Sequence, residues 1–160
     1  GFSVFANIGR RTEPYLISKV TDASGKVLMQ STAEAEKVAG VEALDPRNAY
    51  IMHQMLHGVA TSGTAARATA SLKRTDIAGK TGTSNDAFDV WFVGYAGDQC
   101  AAVWMGFDQP RSLGRRAQGA GLALPVWIDY MRDAIKNEPN VVRKAPPGVT
   151  EEGGNLLHQS

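Results

Sequence analysis

Five consecutive residues, Lys80-Thr81-Gly82-Thr83-Ser84, bring together a cation, three hydroxyls and a residue without a side chain. If they form a strand at a sheet edge, Thr81 and Thr83 project to the same side and can both hold a carboxylate. The Lys80 ammonium would stabilise anionic states beside them, and the N–H of Thr83 would supply half of an oxyanion hole. Gly82 leaves space for a ligand backbone to pair with the strand. These groups suit one wall of an acyl-transfer site, although a K-T-G tripeptide alone is equally compatible with a turn that leads into a strand.

The Gly-Lys-Thr run also raises the possibility of a phosphate-binding P-loop, which the surrounding residues exclude. A P-loop requires glycine five residues before the glycine of Gly-Lys-Thr, and Arg74 occupies that position. The preceding residues, SLKRTDIA, lack the apolar pattern of a buried strand, and no long helix with an apolar face follows Thr83. Nucleotide binding is therefore not the role of this segment.

A second candidate site is a metal centre at His53 and His57, which lie four residues apart in a predicted helix. Zinc proteases use this spacing to place two imidazoles on one helix face, with a glutamate after the first histidine as general base. Gln54 stands at that position and cannot accept a proton. No other spacing supplies a third ligand, so we interpret both histidines as bordering the apolar face. We expect neither a metal nor a cofactor.

The composition is that of one globular domain, with 160 residues, 43% of them hydrophobic and 21% charged. The net charge of +1 gives no case for nucleic acid or an anionic membrane as a partner. We interpret the basic cluster at Arg111, Arg115 and Arg116 as a solvated loop. No run approaches the ~18 apolar residues that span a bilayer. The single cysteine, Cys100, excludes an internal disulfide, and its apolar surroundings predict a buried, inert thiol.

In the first half of the chain, the sequence predicts a hairpin and a helix. Residues 15–30 carry apolar and β-branched residues on both sides of a turn at 22–25, which indicates the hairpin. Residues 31–44 predict a loop or a short helix. Asp45 as N-cap and Pro46 at the first helical position begin the helix, which Gly63 ends. Its predicted buried face consists of Met52, Met55, Leu56, Val59 and Ala60.

The second half predicts a polar linker at 64–76, a strand hairpin and a final helix. Residues 90–96 and 100–107 are almost continuously apolar around a turn at 97–99, so we expect both strands to be covered on both faces. The final helix begins near Pro125 and ends before Pro139. Its predicted buried residues are Leu124, Trp127, Ile128, Met131 and Ile135. The predicted fold class is α+β, an antiparallel sheet flanked by helices.

The run GKTGTSNDAFDVWFVGY at 79–95, followed by AAVWMGFD at 101–108, resembles the penicillin-binding transpeptidases, specifically the bifunctional class A proteins of the 1A type. Upstream, FSVFANIG and GVATSGTA resemble segments that precede the family's K-T-G strand. The resemblance extends from about Phe2 to Lys136. It implies the C-terminal part of a transpeptidase domain, with part of the fold that serine β-lactamases and penicillin-binding transpeptidases share.

In that family, S-x-x-K, S-x-N and K-T-G meet in one cleft. The serine of S-x-x-K attacks the D-Ala-D-Ala end of a peptidoglycan stem peptide, and β-lactams mimic this dipeptide. The resemblance assigns Lys80 to the proton network, Thr81 and Thr83 to the substrate carboxylate, and the Thr83 N–H to the oxyanion hole. It places Gly82 and Ser84 beside the substrate.

Two of the three motifs are absent from the sequence. No serine is followed by lysine three residues later, and none by asparagine two residues later. We therefore expect the nucleophile to lie N-terminal to Gly1, and this chain to be an inactive part of a longer protein. Asp89 and Trp91, in the family's D-x-W-F-V-G-Y, are interpreted as structural.

The resemblance also implies a parent anchored in the inner membrane, with this domain in the periplasm and a glycosyltransferase domain upstream. Expected partners are peptidoglycan stem peptides and β-lactams, without nucleic acid and without membrane contact by this segment. We assign residues 1–138 to the domain and 139–160 to a polar, disordered tail. Because the family's sheet uses strands from upstream, we expect an uncovered edge that makes the fold marginal and favours self-association.

Two alternative functions are left open. A non-catalytic module could use the same strand to bind peptide carboxylates, and it would lack S-x-x-K upstream. A serine β-lactamase shares the fold and the K-T-G motif. It would need a deacylating base, and its parent protein would hydrolyse nitrocefin rapidly.

Overall fold

The computed structural model describes residues 1–31, 40–152 and 155–158. Within these ranges the helices are α1 (Phe2–Ala6), α2 (Pro46–Thr61), α3 (Ala66–Leu72) and α4 (Ala123–Ala134). The strands that form small two-stranded sheets are β1 (Arg10–Arg11), β2 (Lys19–Thr21), β3 (Val27–Gln30), β4 (Val41–Glu42), β8 (Val149–Glu152) and β9 (Asn155–His158). The strands of the central sheet are β5 (Ala78–Thr83), β6 (Val90–Ala96) and β7 (Gln99–Met105).

The central sheet is antiparallel, in the order β5-β6-β7. The β6–β7 hairpin turns at Gly97, whose φ of +55° lies in the left-handed region that suits glycine. Strand β5 pairs with β6 in a register that places Lys80 opposite Val93 and Thr83 opposite Val90. The K-T-G run is therefore a strand at one edge of the sheet, and the predicted α+β class with an antiparallel sheet is confirmed.

Helix α4 covers one face of this sheet. The apolar residues that the sequence predicts for its buried face, Leu124, Trp127, Ile128, Met131 and Ile135, are all buried. Phe92 meets Trp127 edge to face, with ring centroids 5.0 Å apart, and the Trp127 indole N–H donates to the carbonyl oxygen of Ala101 at 3.2 Å. An aromatic pair of this geometry stabilises the fold by about 1 kcal/mol beyond the contribution of the apolar area that it buries. The prediction of the final helix is confirmed.

The opposite face of the sheet packs against α1 and α2. Ala78 and Tyr95 are paired across β5 and β6 and are fully buried, together with Leu56 of α2 and the partly buried Phe2 and Phe5 of α1. Strand β7 is covered less completely. Its residues alternate, and Cys100, Ala102 and Trp104 are exposed, as is Trp91 of β6.

Two expectations about burial are therefore wrong. Strand β7 is covered on the face that packs against α4. Its other face is left exposed, because on that side of the sheet α1 and α2 pack mainly against β5 and β6, and Cys100 is therefore exposed instead of buried. Strand β6, with β5 and β7 on its two sides, is mostly buried as predicted.

Helix α2 begins as the sequence predicts. The Asp45 carboxylate accepts a hydrogen bond from the Arg47 N–H at 2.8 Å, and Pro46 is the first helical residue. Its buried face differs from the prediction, because Met52 and Met55 are exposed and His53 is buried. The reason is that the His53 ring packs on Tyr95, at a position where a hydrophobicity pattern counts histidine as polar.

The expectation of a polar linker at 64–76 is wrong in its first half, where α3 forms. Ala65 and Ala68 are fully buried against the α4 side of the core. Lys73 ends the helix in a left-handed conformation, with φ of +53°. Alanines allow this close packing without the bulky apolar periodicity that marks a helix in sequence.

The predicted hairpin at 15–30 is confirmed as β2 and β3. In its turn, the Asp22 carboxylate accepts from the N–H groups of Ser24 at 2.9 Å and Lys26 at 3.0 Å. The loop or short helix expected at 31–44 lies mainly outside the described residues, which resume at 40. From there, β4 pairs with β1.

The segment after α4 contacts the body of the domain. The Arg74 guanidinium donates to the carbonyl oxygen of Pro139 at 2.8 Å, and the Val141 N–H donates to the Asp76 carboxylate at 2.9 Å. The Arg143 Nε donates to the carbonyl oxygen of Ala6 at 2.8 Å. Further on, β8 and β9 pair as a short hairpin, within the range where the sequence analysis expects a disordered tail. The domain boundary at 138 stays a prediction.

None of the helices in the described ranges has the length and hydropathy needed to cross a bilayer.

Candidate functional site

Strand β5, which contains the K-T-G motif, pairs with β6 along its whole length, and its second half is at least partly exposed. Ala78 and Gly79 are buried under α1 and α2 and against β6, whereas Lys80 and Thr83 are exposed. A Cβ on Gly79 would lie 2.7 Å from the carbonyl oxygen of Val93, so only glycine fits there. The buried first half holds the exposed second half in a fixed place at the sheet edge.

The side chain of Lys80 follows the strand toward Thr81. Its Nζ donates to the Thr81 carbonyl oxygen at 2.8 Å and lies 3.4 Å from the Thr81 hydroxyl oxygen. The ammonium is thereby held beside the backbone of the strand, at an exposed position. A positive charge beside a hydroxyl is the arrangement that binds and stabilises an anion.

The Thr81 hydroxyl has a second contact that the sequence analysis did not anticipate. Its Oγ1 lies 3.0 Å from Oγ1 of Thr64, which belongs to the turn between α2 and α3. Thr64 lies within GVATSGTA, one of the segments that carry the family resemblance, and this was the signal that could have singled it out. Seventeen residues separate the two threonines in sequence, so spacing alone does not predict the contact.

The Thr83 hydroxyl is held from another side. Its Oγ1 accepts a hydrogen bond from the Gly119 N–H at 3.2 Å. A Cβ on Gly119 would lie 2.4 Å from the carbonyl oxygen of Trp91 and 2.7 Å from that of Gly82, so the loop reaches the strand only because this residue is glycine. Gly119 is the second residue of the candidate site that sequence reasoning missed.

Gly82 lies between the two threonines, opposite Trp91. A Cβ at this position would lie 3.3 Å from the Cβ of Trp91, which is tighter than most such contacts. Because side chains alternate along a strand, Thr81 and Thr83 share one side of β5 and Gly82 faces the other. The strand therefore has two hydroxyls on one side, with a residue that lacks a side chain between them.

Ser84 begins the turn that connects β5 to β6. Its N–H donates to the Asp89 carbonyl oxygen at 2.9 Å, and its Oγ accepts from the Asp89 N–H at 2.8 Å. Within the turn, Asp86 and Ala87 have φ of +56° and +53°, a strained conformation for residues other than glycine. The Asp89 carboxylate accepts from the Trp104 indole N–H at 2.8 Å, which gives Asp89 the structural role expected of it.

The two histidines lie away from this strand edge and have other partners. His53 Nδ1 is 3.0 Å from the Tyr95 hydroxyl, and His57 Nε2 is 2.8 Å from the Thr75 carbonyl oxygen. Burial, together with the positive charge of Arg143, lowers the pKa of His53 to about 4. Among the described residues, no group of three or more His, Cys, Asp and Glu side chains could hold a metal ion.

The strand edge supplies anion-binding and polarising groups. Lys80, Thr81 and Thr83 all belong to the second half of β5, and Ser84 adjoins them with its hydroxyl engaged in the turn. The chain contains no S-x-x-K sequence. What the arrangement can do chemically is bind a carboxylate and stabilise negative charge beside it.

Sequence comparisons with known proteins identify a family that the chain matches. The sequence profile of the family "Penicillin binding protein transpeptidase domain" matches residues 1–127. Penicillin-binding protein 1A of Neisseria lactamica is 46% identical over 153 residues, which is 96% of this chain and 19% of that protein. Penicillin-binding protein 1A of Pseudomonas aeruginosa is 39% identical, over 92% of this chain and 23% of that protein.

The structural comparison gives the same family. The crystal structure of penicillin-binding protein 1A from Haemophilus influenzae matches with a TM-score of 0.85 and 26% identity, over 99% of this chain and 30% of that one. The chain spans about a fifth of the length of the curated relatives that it matches, at 19% for the Neisseria lactamica protein and 23% for that of Pseudomonas aeruginosa. From the profile match over most of its length, the chain belongs to the penicillin-binding protein transpeptidase domain family.

Proposed function

We propose that this chain forms the K-T-G wall of a serine D,D-transpeptidase that cross-links peptidoglycan stem peptides and is acylated by β-lactams. The observation that carries the proposal is the position of the Lys80 ammonium, 2.8 Å from the Thr81 carbonyl oxygen at the exposed end of an edge strand. The cation lies beside the hydroxyls that would bind the C-terminal carboxylate of the substrate.

Each residue of the strand has a proposed role. Thr81 and Thr83 donate hydrogen bonds to the carboxylate of the D-Ala-D-Ala end, and Lys80 supplies positive charge and takes part in proton transfer with the upstream motifs. Gly82 lets the substrate backbone approach the strand, and the Thr83 N–H contributes to the oxyanion hole. Ser84 borders the substrate and, through its bonds to Asp89, sets the turn that ends the strand.

The nucleophile belongs, in this proposal, to sequence upstream of Gly1 in a longer protein. That protein would carry S-x-x-K and S-x-N in the same cleft, a glycosyltransferase domain further upstream and an anchor in the inner membrane, with this domain in the periplasm. Relatives named penicillin-binding protein 1A, of which this chain spans about a fifth, support the proposal. Without the upstream motifs the 160-residue chain has no catalytic activity of its own.

Intact-mass spectrometry after incubation with benzylpenicillin tests the proposal. The proteins to compare are the 160-residue chain and an extended polypeptide, defined as this chain with its upstream sequence through S-x-x-K. We expect one penicilloyl adduct on the extended polypeptide and none on the short chain. In the extended polypeptide, Lys80→Ala should slow acylation about 100-fold or more, whereas Lys136→Ala, at an exposed lysine near the end of α4, should not change it.

Other outcomes would point to the alternatives. An adduct on the short chain would show that a nucleophile lies within it. No adduct on either protein would favour a non-catalytic module that binds peptide carboxylates. An adduct that forms and is then hydrolysed rapidly, with fast nitrocefin turnover, would favour a β-lactamase.

A further inference from the structure

We infer that Thr64 is a positioning residue for the substrate carboxylate, acting through the hydroxyl of Thr81. This inference rests on the proposed function. It assigns to the turn between α2 and α3 a part in recognition of the anionic end of the substrate. The observation that carries it is the 3.0 Å distance between the two hydroxyl oxygens.

The backbone of the turn holds Thr64 in place. The N–H of Gly63 donates to the Gly58 carbonyl oxygen at 3.1 Å, and the N–H of Ala65 donates to that of Val59 at 3.0 Å. Ala65, the next residue, is fully buried. A Cβ on Gly63 would lie 2.9 Å from the Cα of Val59, so the turn is closed against the end of α2. Thr64 is therefore an exposed hydroxyl on a rigid support.

The hydrogen-bond partners of Thr81 determine to which group its hydroxyl proton is donated. An ammonium group only donates, so Thr81 Oγ1 accepts from Lys80 at 3.4 Å. A carboxylate only accepts, so a bound substrate requires the Thr81 hydroxyl to donate to it. The Thr81 hydroxyl has a single proton, and Thr64 must then be the donor in their shared hydrogen bond. The result is a chain of donors from Thr64 to Thr81 to the carboxylate, in which each bond polarises the next.

The second threonine of the strand is held in a comparable way. Thr83 Oγ1 accepts from the Gly119 N–H at 3.2 Å, which leaves its single proton available for a ligand. The Thr83 hydroxyl thus accepts from a donor that lies outside the strand, which is the arrangement that the inference assigns to Thr81 and Thr64.

A role in stability alone does not account for the Thr64–Thr81 contact. The Thr64–Thr81 hydrogen bond is exposed, and an exposed hydrogen bond adds little to the free energy of unfolding because each group can bond to water instead. Loss of the Thr64 hydroxyl should therefore change recognition of the anion more than it changes unfolding. This difference makes the inference testable.

The test compares acylation rates of the extended polypeptide and its Thr64→Val and Thr64→Ser variants. The probes are benzylpenicillin and its methyl ester, which undergoes the same ring opening but carries no carboxylate. We expect Thr64→Val to lower the second-order rate constant of acylation by benzylpenicillin about fivefold, because one hydrogen bond is lost. The rate constant with the methyl ester should not change. Thr64→Ser should restore most of the rate, and all melting temperatures should stay close to that of the unmodified polypeptide.

A second measurement uses a double-mutant cycle, so that the inference does not depend on a single variant. In the Thr81→Val background, where the intermediary hydroxyl is gone, Thr64→Val should have no further effect on the benzylpenicillin rate. Additive effects in the cycle, an unchanged rate in Thr64→Val, or equal losses with acid and ester would each overturn the inference. If the unmodified extended polypeptide is not acylated at all, the proposed function fails and this inference falls with it.

Discussion

The guanidinium of Arg74 and the carboxylate of Asp76 form a two-point ion pair in the protein interior, with Nε–Oδ1 and Nη2–Oδ2 distances of 2.8 and 2.7 Å. The Asp76 carboxylate also accepts from the N–H groups of Gly97 and Val141, both at 2.9 Å. Burial acts to raise the pKa of Asp76, but the hydrogen bonds from Arg74, Val141 and Gly97 hold it below the usual range. This one carboxylate joins the start of β5, the β6–β7 turn and the segment after α4.

Asp76→Ala should therefore lower the free energy of unfolding by about 3–5 kcal/mol, because it leaves a buried guanidinium without its counter-charge. Urea-induced unfolding followed by circular dichroism measures the loss. The matched control is Asp129→Ala, which removes the aspartate of an exposed pair with Arg132 and should cost less than about 1 kcal/mol. If the two variants lose similar free energies of unfolding, the buried Arg74–Asp76 pair does not stabilise the fold more than an exposed pair does.

Stability should fall on mild acidification because of His53. Its pKa in the folded chain is lowered to about 4, below the value of 6.5 for a free histidine. Because the fold favours the neutral ring, His53 contributes to the free energy of unfolding. This contribution is complete above pH 6.5 and is lost as the pH falls toward 4. The full effect is on the order of 3 kcal/mol.

The measurement is the free energy of unfolding from pH 7.5 to 4.5 for the unmodified chain and for His53→Gln, which cannot titrate. The variant should show a shallower pH dependence in this range. His57→Gln, at the half-exposed histidine of the same helix, should change the pH dependence less than His53→Gln does, because the charge of His57 is the smallest of the three causes that lower the pKa of His53. Parallel curves for the unmodified chain and His53→Gln would mean that burial of His53 does not set the acid sensitivity.

Two glycine-to-alanine changes should have opposite effects. Gly79→Ala should destabilise the chain by more than about 2 kcal/mol, because the added Cβ would lie 2.7 Å from the Val93 carbonyl oxygen and 2.8 Å from the Cα of Gly94. Gly58→Ala, in α2 with nothing within 4 Å of the new Cβ, should stabilise by about 0.5–1 kcal/mol. Thermal unfolding of the three proteins should rank them Gly58→Ala, unmodified and Gly79→Ala, and any other order would show that the packing around β5 is described wrongly.

Gly119 should be required for the geometry of Thr83. In Gly119→Ala, the Cβ would meet the Trp91 and Gly82 carbonyl oxygens at 2.4 and 2.7 Å, so the loop must move away and its N–H must leave the Thr83 hydroxyl. We expect benzylpenicillin acylation of the extended polypeptide to slow by about tenfold, the equivalent of about 1.4 kcal/mol.

Gly121→Ala is the matched control for this loop, since its Cβ would have an ordinary contact of 3.7 Å with the Gln118 carbonyl oxygen. If both variants are acylated at the normal rate, Gly119 is not required for the function of β5.

The chain should self-associate through the side of the sheet that carries β7. In the described ranges no strand pairs with the outer edge of β7, and Trp91 and Trp104 lie side by side on the same face, 43% and 45% exposed. Apolar edges of this kind pair with other chains. Size-exclusion chromatography with light scattering should show dimers that increase with concentration. Ala102→Lys, which places a charge on β7, should shift the chain toward the monomer, whereas a stable monomer with a sharp melting transition would contradict this prediction.

The elements whose signals are local were predictable from sequence. The cap of α2 requires only Asp45 and Pro46, and the buried stripe of α4 repeats at helical spacing, so both were placed correctly. The β6–β7 hairpin follows from two apolar runs around a glycine turn. The K-T-G strand was placed at a sheet edge by its residue types and its family context, and β5 lies at that edge.

What was missed depends on contacts that are distant in sequence. Helix α3 packs through alanines, which carry little hydrophobic signal, and the burial of His53 depends on Tyr95, 42 residues away. The Thr64 hydroxyl that contacts Thr81 and the Gly119 N–H that donates to Thr83 come from residues 17 and 36 positions away, in a turn and in a glycine-rich loop. Spacing rules describe neighbours along one element, so they do not identify groups that tertiary structure brings together.

The hydrogen bond from Arg143 to Ala6 joins residues 137 positions apart and bears on the order in which the chain folds. Strands β5, β6 and β7 are joined by short turns, so the sheet can form early through local pairing. The first helix obtains this last contact only when the segment after α4 has returned to it, and closing so long a loop carries an entropic cost that local pairing avoids. Docking of α1 should therefore be a late, high-contact-order event, slower than formation of the sheet that carries the K-T-G strand.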